Sequence, residues 1–154
     1  MIEKYQLKSM LKLFRGIARQ EVGLGVSIRF VTTVSSGCWP KDRDMVVNSN
    51  QKFEQVIYDF FHELSHIKNL MDGKYVTYNN IGKTYRTTYK VATNAIKNGL
   101  KAEKYADKTA QKLIKKYVGR KLKAHNYSDP EVVEIYKEEH LEYFKQWLED
   151  KGYR

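Results

Sequence analysis

Residues 51–72, QKFEQVIYDFFHELSHIKNLMD, decide how the rest of the chain is read. Phe53, Val56, Ile57, Phe60, Leu64, Ile67 and Met71 recur at three- and four-residue spacing. At 100° per residue they share one face of a helix, the face expected to pack on a core. Asp72-Gly73 closes the pattern with a glycine suited to the position just past a helix end. His62 and His66 fall nearly opposite the apolar face, beside Gln55, Tyr58, Asp59 and Asn69, and Glu63 lies between the two regions. His62-Glu63-Leu64-Ser65-His66 is an H-E-x-x-H sequence. Two histidines one helical turn apart can reach a single metal ion, and a glutamate beside the first can accept a proton from metal-bound water. Tyr58 and Asp59 flank this face and are placed to line a cleft.

Outward from this helix the pattern is α+β. A helix is expected over residues 1–22, from Leu7, Met10, Leu11, Phe14 and Ile17. Val26–Val31 alternates like a strand, Ser35–Asp44 is rich in turn formers, and Met45–Asn48 reads as a second strand. Residues 74–90, rich in Tyr and Thr, suit a hairpin or an extended flap. A helix follows at about 91–118, with Asn98-Gly99 a possible break. A last helix spans about 129–150, with Ser128 and Glu131 at capping-box spacing and Pro130 in the first turn. The expectation for these 154 residues is one domain with a small, mostly antiparallel sheet packed against the central helix.

A catalytic zinc takes three protein ligands and keeps a fourth position for water. A third histidine at the metzincin spacing is excluded, because Asn69 and Asp72 stand where a glycine and a histidine are needed. His140 shares an apolar stripe with Val133, Tyr136, Tyr143, Phe144 and Trp147, where a hydrogen-bonded core histidine is the commoner outcome. His125 sits in a lysine-rich loop and is expected to be exposed. Glu103 is the better candidate. It projects within the apolar face formed by Ala102, Ala106, Ala110, Leu113, Ile114 and Tyr117, with Lys101, Lys104, Lys108, Lys112 and Lys115 on the other side. A carboxylate on such a face costs several kcal/mol unless its charge is compensated, roughly as for any buried ion. A metal ion would compensate it. Asp107, one turn on, is close enough to hydrogen-bond a ligand histidine.

His62-Glu-Leu-Ser-His66 followed by Glu103-Lys-Tyr-Ala-Asp107 resembles the gluzincin arrangement of metallopeptidases. More narrowly it resembles the small ImmA/IrrE-type metallopeptidases of bacteria, phages and mobile elements, over about residues 24–118. That resemblance implies a zincin-like domain binding Zn2+ through His62, His66 and Glu103, with Glu63 as general base. It further implies a protein or peptide substrate, with transcriptional regulators as the substrates suggested. Such a hydrolase needs a donor for the developing oxyanion, and Tyr78, Tyr85 and Tyr89 are the candidates in the 74–90 segment.

Composition narrows the setting. No apolar run approaches the roughly 20 residues of a membrane-spanning helix, so no membrane role is expected. A lone cysteine, Cys38, excludes an internal disulfide framework, and no secretory pattern opens the chain, so a cytoplasmic protein is expected. Cys38 itself reads as loop packing beside Trp39. The formal charge is +10, and residues 101–123 carry nine Lys/Arg against two acids, while residues 129–150 carry eight acids against two lysines. Solvated helix faces are the ordinary reading. The alternative function is a nucleic-acid-binding or partner-binding protein that uses the 101–123 stripe, with a non-catalytic zinc.

Overall fold

The computed structural model describes residues 2–74 and 89–150, without the side chains of 89–95, 147 and 148. Helix α1 (Lys4–Val22) buries Met10, Phe14, Ile17, Ala18 and Val22 and leaves its basic side wet, as the periodicity requires. Three strands follow: β1 (Ser27–Val31), β2 (Gly37–Trp39) and β3 (Asp44–Asn48). Their order in the sheet is β1-β3-β2. Met45, Val46 and Val47 of the central β3 are all buried, which is why that strand is a continuous apolar run rather than an alternating one.

The sheet is mixed, and its longer pairing is parallel. β1 runs parallel to β3 from Ser27 opposite Asp44 to Val31 opposite Asn48, while β2 pairs antiparallel with β3 through Cys38 opposite Met45. The expected antiparallel character is therefore corrected. Parallel neighbours need a crossover of about a dozen residues, and residues 32–43 supply it. The turn-rich stretch lays down β2 on the way, then a 3-10 turn at Pro40–Asp42 and Arg43 at φ 50° return the chain into β3.

Four residues separate β3 from α2 (Phe53–Met71), and they are heavily braced. Ser49 N donates to Val31 O, Asn50 N to Asn48 Oδ1, and Gln51 Nε2 to both Asn48 O and Asp59 Oδ2. Asp59 also accepts from Ser36 Oγ and Gln55 Nε2, so it holds the start of α2 to the β1–β2 connection. At the other end, Gly73 at φ 69° lets its own N–H reach Leu70 O and that of Lys74 reach Asn69 O. This paired closure is the Schellman arrangement, and the left-handed conformation is the one glycine takes without strain.

Helix α3 (Tyr89–Tyr117) runs unbroken through Asn98-Gly99. Tyr89 and Lys90 belong to it rather than to a hairpin or flap, and the remainder of that expected segment, residues 75–88, lies outside the described residues. In α4 (Pro130–Asp150) the cap is Asp129, whose Oδ1 accepts from Glu131 N, whereas Ser128 is turned back onto Asn126. The capping-box reading of Ser128 is corrected on that ground.

By internal contacts the chain falls into two units, and the division passes through α3 between Tyr105 and Ala106. The first holds α1, the sheet, α2 and α3 from Ala106 onward. Its core joins Phe14, Ile28, Met45, Val47 and the α2 residues Val56, Phe60, Phe61, Leu64 and Ile67 to Ala110, Leu113 and Ile114 of α3. Phe14 and Phe60 stack at 3.9 Å. In the second unit Leu100, Ala102, Tyr136 and Phe144 are buried. Tyr136 lies edge-on to Tyr127 and stacks on His140.

Within the first unit one carboxylate ties three helices together. Glu21, at the end of α1, accepts from Lys116 Nζ at 2.7 Å and from the Tyr117 hydroxyl, with Lys68 Nζ of α2 at 3.5 Å. Burial works to raise its pKa, but the hydrogen bonds from Lys116 and Tyr117 and the charges of Lys116 and Lys68 hold it below the ordinary 4.5. No helix among the described residues is long and apolar enough to cross a membrane.

Candidate metal centre

Helix α2 is dry on nearly every side. Val56, Phe60, Leu64 and Ile67 are buried as expected, although Phe53 and Met71 at the ends of the stripe are half exposed. The opposite, polar face is also covered: Tyr58, His62, Glu63, Ser65, His66 and Asn69 are each 7% exposed or less. Burying that many polar groups is unfavourable unless each is matched by hydrogen bonds or charge.

The matching begins on α3. His62 Nδ1 lies 2.8 Å from Asp107 Oδ1, and the Tyr58 hydroxyl donates to the same oxygen at 2.6 Å. A carboxylate only accepts, so His62 presents Nδ1–H to it and leaves Nε2 with its lone pair outward. Tyr58 stays a donor because burial, followed by the negative charge of Asp107 and its hydrogen bond, pushes the phenol pKa far above its usual 10. A second tie between the helices runs from Thr109 Oγ1 to Asn69 Oδ1 at 3.1 Å.

Beyond these ties the ligand atoms converge. His62 Nε2 and His66 Nε2 are 3.2 Å apart, with the rings nearly perpendicular at 84°. Two donors bound to one zinc at about 2.0–2.1 Å in a tetrahedron stand about 3.3 Å apart, so this spacing is that of two ligands on one ion. Glu103, one turn before Asp107 on α3, completes the set: one ligand atom each from His62, His66 and Glu103 lies within 4.8 Å of the others. Two imidazoles and a carboxylate are a donor set that suits a divalent ion such as Zn2+, and the residues present fit it. Glu63 is buried beside the first ligand, at 7% exposure.

The other candidates sort cleanly. His140 directs Nδ1 at Tyr136 O, 2.8 Å away, as expected for a hydrogen-bonded histidine. His125 is on the surface, its side chain 81% exposed and 3.5 Å from Asp129. Cys38 is half-buried in β2 and packs on the core. Asp59 braces the start of α2 through Ser36, Gln51 and Gln55. Tyr78 and Tyr85 lie outside the described residues, as does the side chain of Tyr89 at the first position of α3. Lys101, Lys104, Lys108, Lys112 and Lys115 are all exposed, whereas Lys116 and Arg120 are paired with Glu21 and Glu54.

Sequence reasoning placed Tyr58 on the metal face without assigning it a partner. The available signal was its spacing, one turn before His62. Its acceptor lies 49 positions away and no local pattern names it. Comparison of the chain with protein-family models, with curated proteins and with solved structures finds no match in any of the three.

Proposed function

We propose that the chain is a zinc-dependent metallopeptidase of the ImmA/IrrE-like gluzincin kind, hydrolysing peptide bonds of a specific protein substrate. The observation that carries this reading is the convergence of His62, His66 and Glu103 beside a buried Glu63. Zn2+, when bound, supplies a Lewis acid that lowers the pKa of water towards about 7 and polarises a carbonyl. His62, His66 and Glu103 hold it, and Asp107 fixes the tautomer and the ring plane of His62. Glu63 takes a proton from the attacking water as its oxygen bonds to the peptide carbon. It returns that proton to the departing amine as the C–N bond breaks. A cytoplasmic setting, a single catalytic domain and a transcriptional regulator as substrate complete the proposal.

A second reading has the exposed lysine row of α3 bind nucleic acid, with the metal purely structural. Five lysines on one side of one helix favour it. Against it, a three-ligand set with a glutamate beside the first histidine is that of an open site, whereas structural zinc is usually enclosed by four protein ligands.

The deciding experiment is elemental mass spectrometry of the purified chain beside His66→Ala, Glu103→Ala and Glu63→Gln. About one zinc per chain is expected, lost in the first two variants and kept in the third, whose peptide hydrolysis falls about 10²- to 10⁴-fold. Wild-type protein that takes up no zinc, even on refolding with it, would sink the peptidase reading.

A further inference from the structure

The second unit contains a cavity of about 570 Å³ between the first half of α3 and α4. Its floor is aliphatic: Ile96 and Leu100 from α3 and Leu141 from α4. Its rim is cationic, formed by Lys97, Lys101, Lys104 and Lys137. Lys137 has Glu134 at 3.6 Å, but among the described residues no carboxylate pairs with Lys97, Lys101 or Lys104. The size is that of a ligand site, and the lining asks for an occupant apolar below and anionic at its edges.

The floor also has a direction. Ile96, Leu100, Glu103 and Asp107 are spaced i, i+4, i+7 and i+11, which places them on one line along α3. The groove floor and the metal-site carboxylates are therefore successive stations on one helix face. Ile96 and Glu103 are about 10 Å apart along the helix axis, the span of about three residues of extended chain.

We propose that this groove is the recognition site for the substrate polypeptide, and that it selects a segment in which aliphatic and acidic residues alternate, about three positions from the bond attacked. This rests on the peptidase reading and names the substrate class for it. Aliphatic residues of the segment fill the floor while its Asp and Glu side chains meet the lysine rim. An extended peptide alternates its side chains between two sides, which suits a floor and a rim at once. Single-stranded nucleic acid is the weaker fit, because its bases are held by stacking on aromatic side chains and none of the described residues lining this cavity is aromatic.

The test is fluorescence anisotropy with a labelled decapeptide of alternating Leu and Glu, titrated with the full-length Glu63→Gln protein so that no cleavage intervenes. Binding is expected to weaken as salt rises and to fall about tenfold or more in Lys97→Glu/Lys101→Glu, and likewise for a peptide with Gln in place of Glu. Lys8→Glu/Lys12→Glu, which removes the same charge from the exposed side of α1, is expected to stay within about twofold of the parent. Lys97→Gln/Lys101→Gln, a milder change, gives the same direction should the reversed pair not fold. An equal loss in the α1 variant overturns the inference, as does full affinity for the Gln peptide. Tighter binding of a ten-nucleotide oligothymidylate, or of phosphatidylglycerol-containing vesicles, through the same lysines also overturns it. Zinc uptake with Glu63-dependent hydrolysis but no effect at the groove sinks this inference alone. Peptide capture by a protein that takes up no zinc sinks the peptidase reading and leaves the groove.

Discussion

Asp107 and Glu21 are near twins with different consequences. Each carboxylate has a side chain about 7% exposed, and each accepts from a tyrosine hydroxyl and from a basic nitrogen across a helix packing. At Glu21 the base is a lysine whose ammonium only donates, so the cluster closes on itself and its effect is mechanical. At Asp107 the base is an imidazole with a second nitrogen on its far side, and that nitrogen faces His66 at 3.2 Å. The same buried carboxylate and tyrosine thus make a clamp in one place and a mount for a candidate metal ligand in the other. The identity of the base separates the two, and so does the presence of a second imidazole one turn along the helix.

The sharpest way to break the comparison is Asp107→Asn. It keeps the shape but gives the amide freedom to present its NH2 to His62 Nδ1, which unfixes the tautomer; zinc affinity measured by chelator competition is expected to fall about 10- to 100-fold. The counterpart Glu21→Gln is expected to leave zinc affinity unchanged and to lower unfolding stability in urea by about 1–2 kcal/mol, a modest cost because Lys116 is half in solvent. That difference has a defined pH window. The folded-state pKa of Glu21 lies below its ordinary 4.5, so the stabilisation is fully present above 4.5 and is lost as pH falls through the folded value. Denaturation of wild type and Glu21→Gln should therefore converge in acid and stay parallel at neutral pH. The smallest effect is expected from Tyr58→Phe, which removes one hydrogen-bond donor to Asp107 and leaves His62 in place. Zinc binding should weaken about fivefold, the worth of roughly one hydrogen bond, with the Asp107→Asn loss unchanged when the two are combined. A Tyr58→Phe loss as large as that of Asp107→Asn would mean the hydroxyl, not the carboxylate, sets the histidine.

Much of this was legible because it is local. The three- and four-residue spacing in α1, α2 and α3 has only one helical reading, and the His62–His66 interval is a property of a single turn. Glu103 stood out because a charge on a face of alanines needs a reason. What escaped was non-local or masked by composition. Three residues of β2 sit inside a run of turn formers, and whether β1 joins β3 in parallel depends on how a 12-residue connection is routed, which no window of sequence encodes. The polar face of α2 was legible as a place for a metal, but what covers it was not: α3 lays Asp107 and Thr109 against it, 40 or more positions away in sequence. The cap of α4 fell to Asp129 because Ser128 had a nearer acceptor in Asn126.

The double bracing of α2, by Asp59 at one end and the Gly73 closure at the other, bears on how a metal would be received. A helix pinned at both ends cannot shift its register or unwind a turn without breaking contacts outside itself. The entropy of bringing two imidazoles together is therefore spent when the chain folds, before any ion arrives. Metal uptake at this centre is in this sense expected to be a docking event on a preformed pair of donors, with the fold retained when a chelator removes the ion, unlike small zinc domains whose folding is the metal-binding reaction itself.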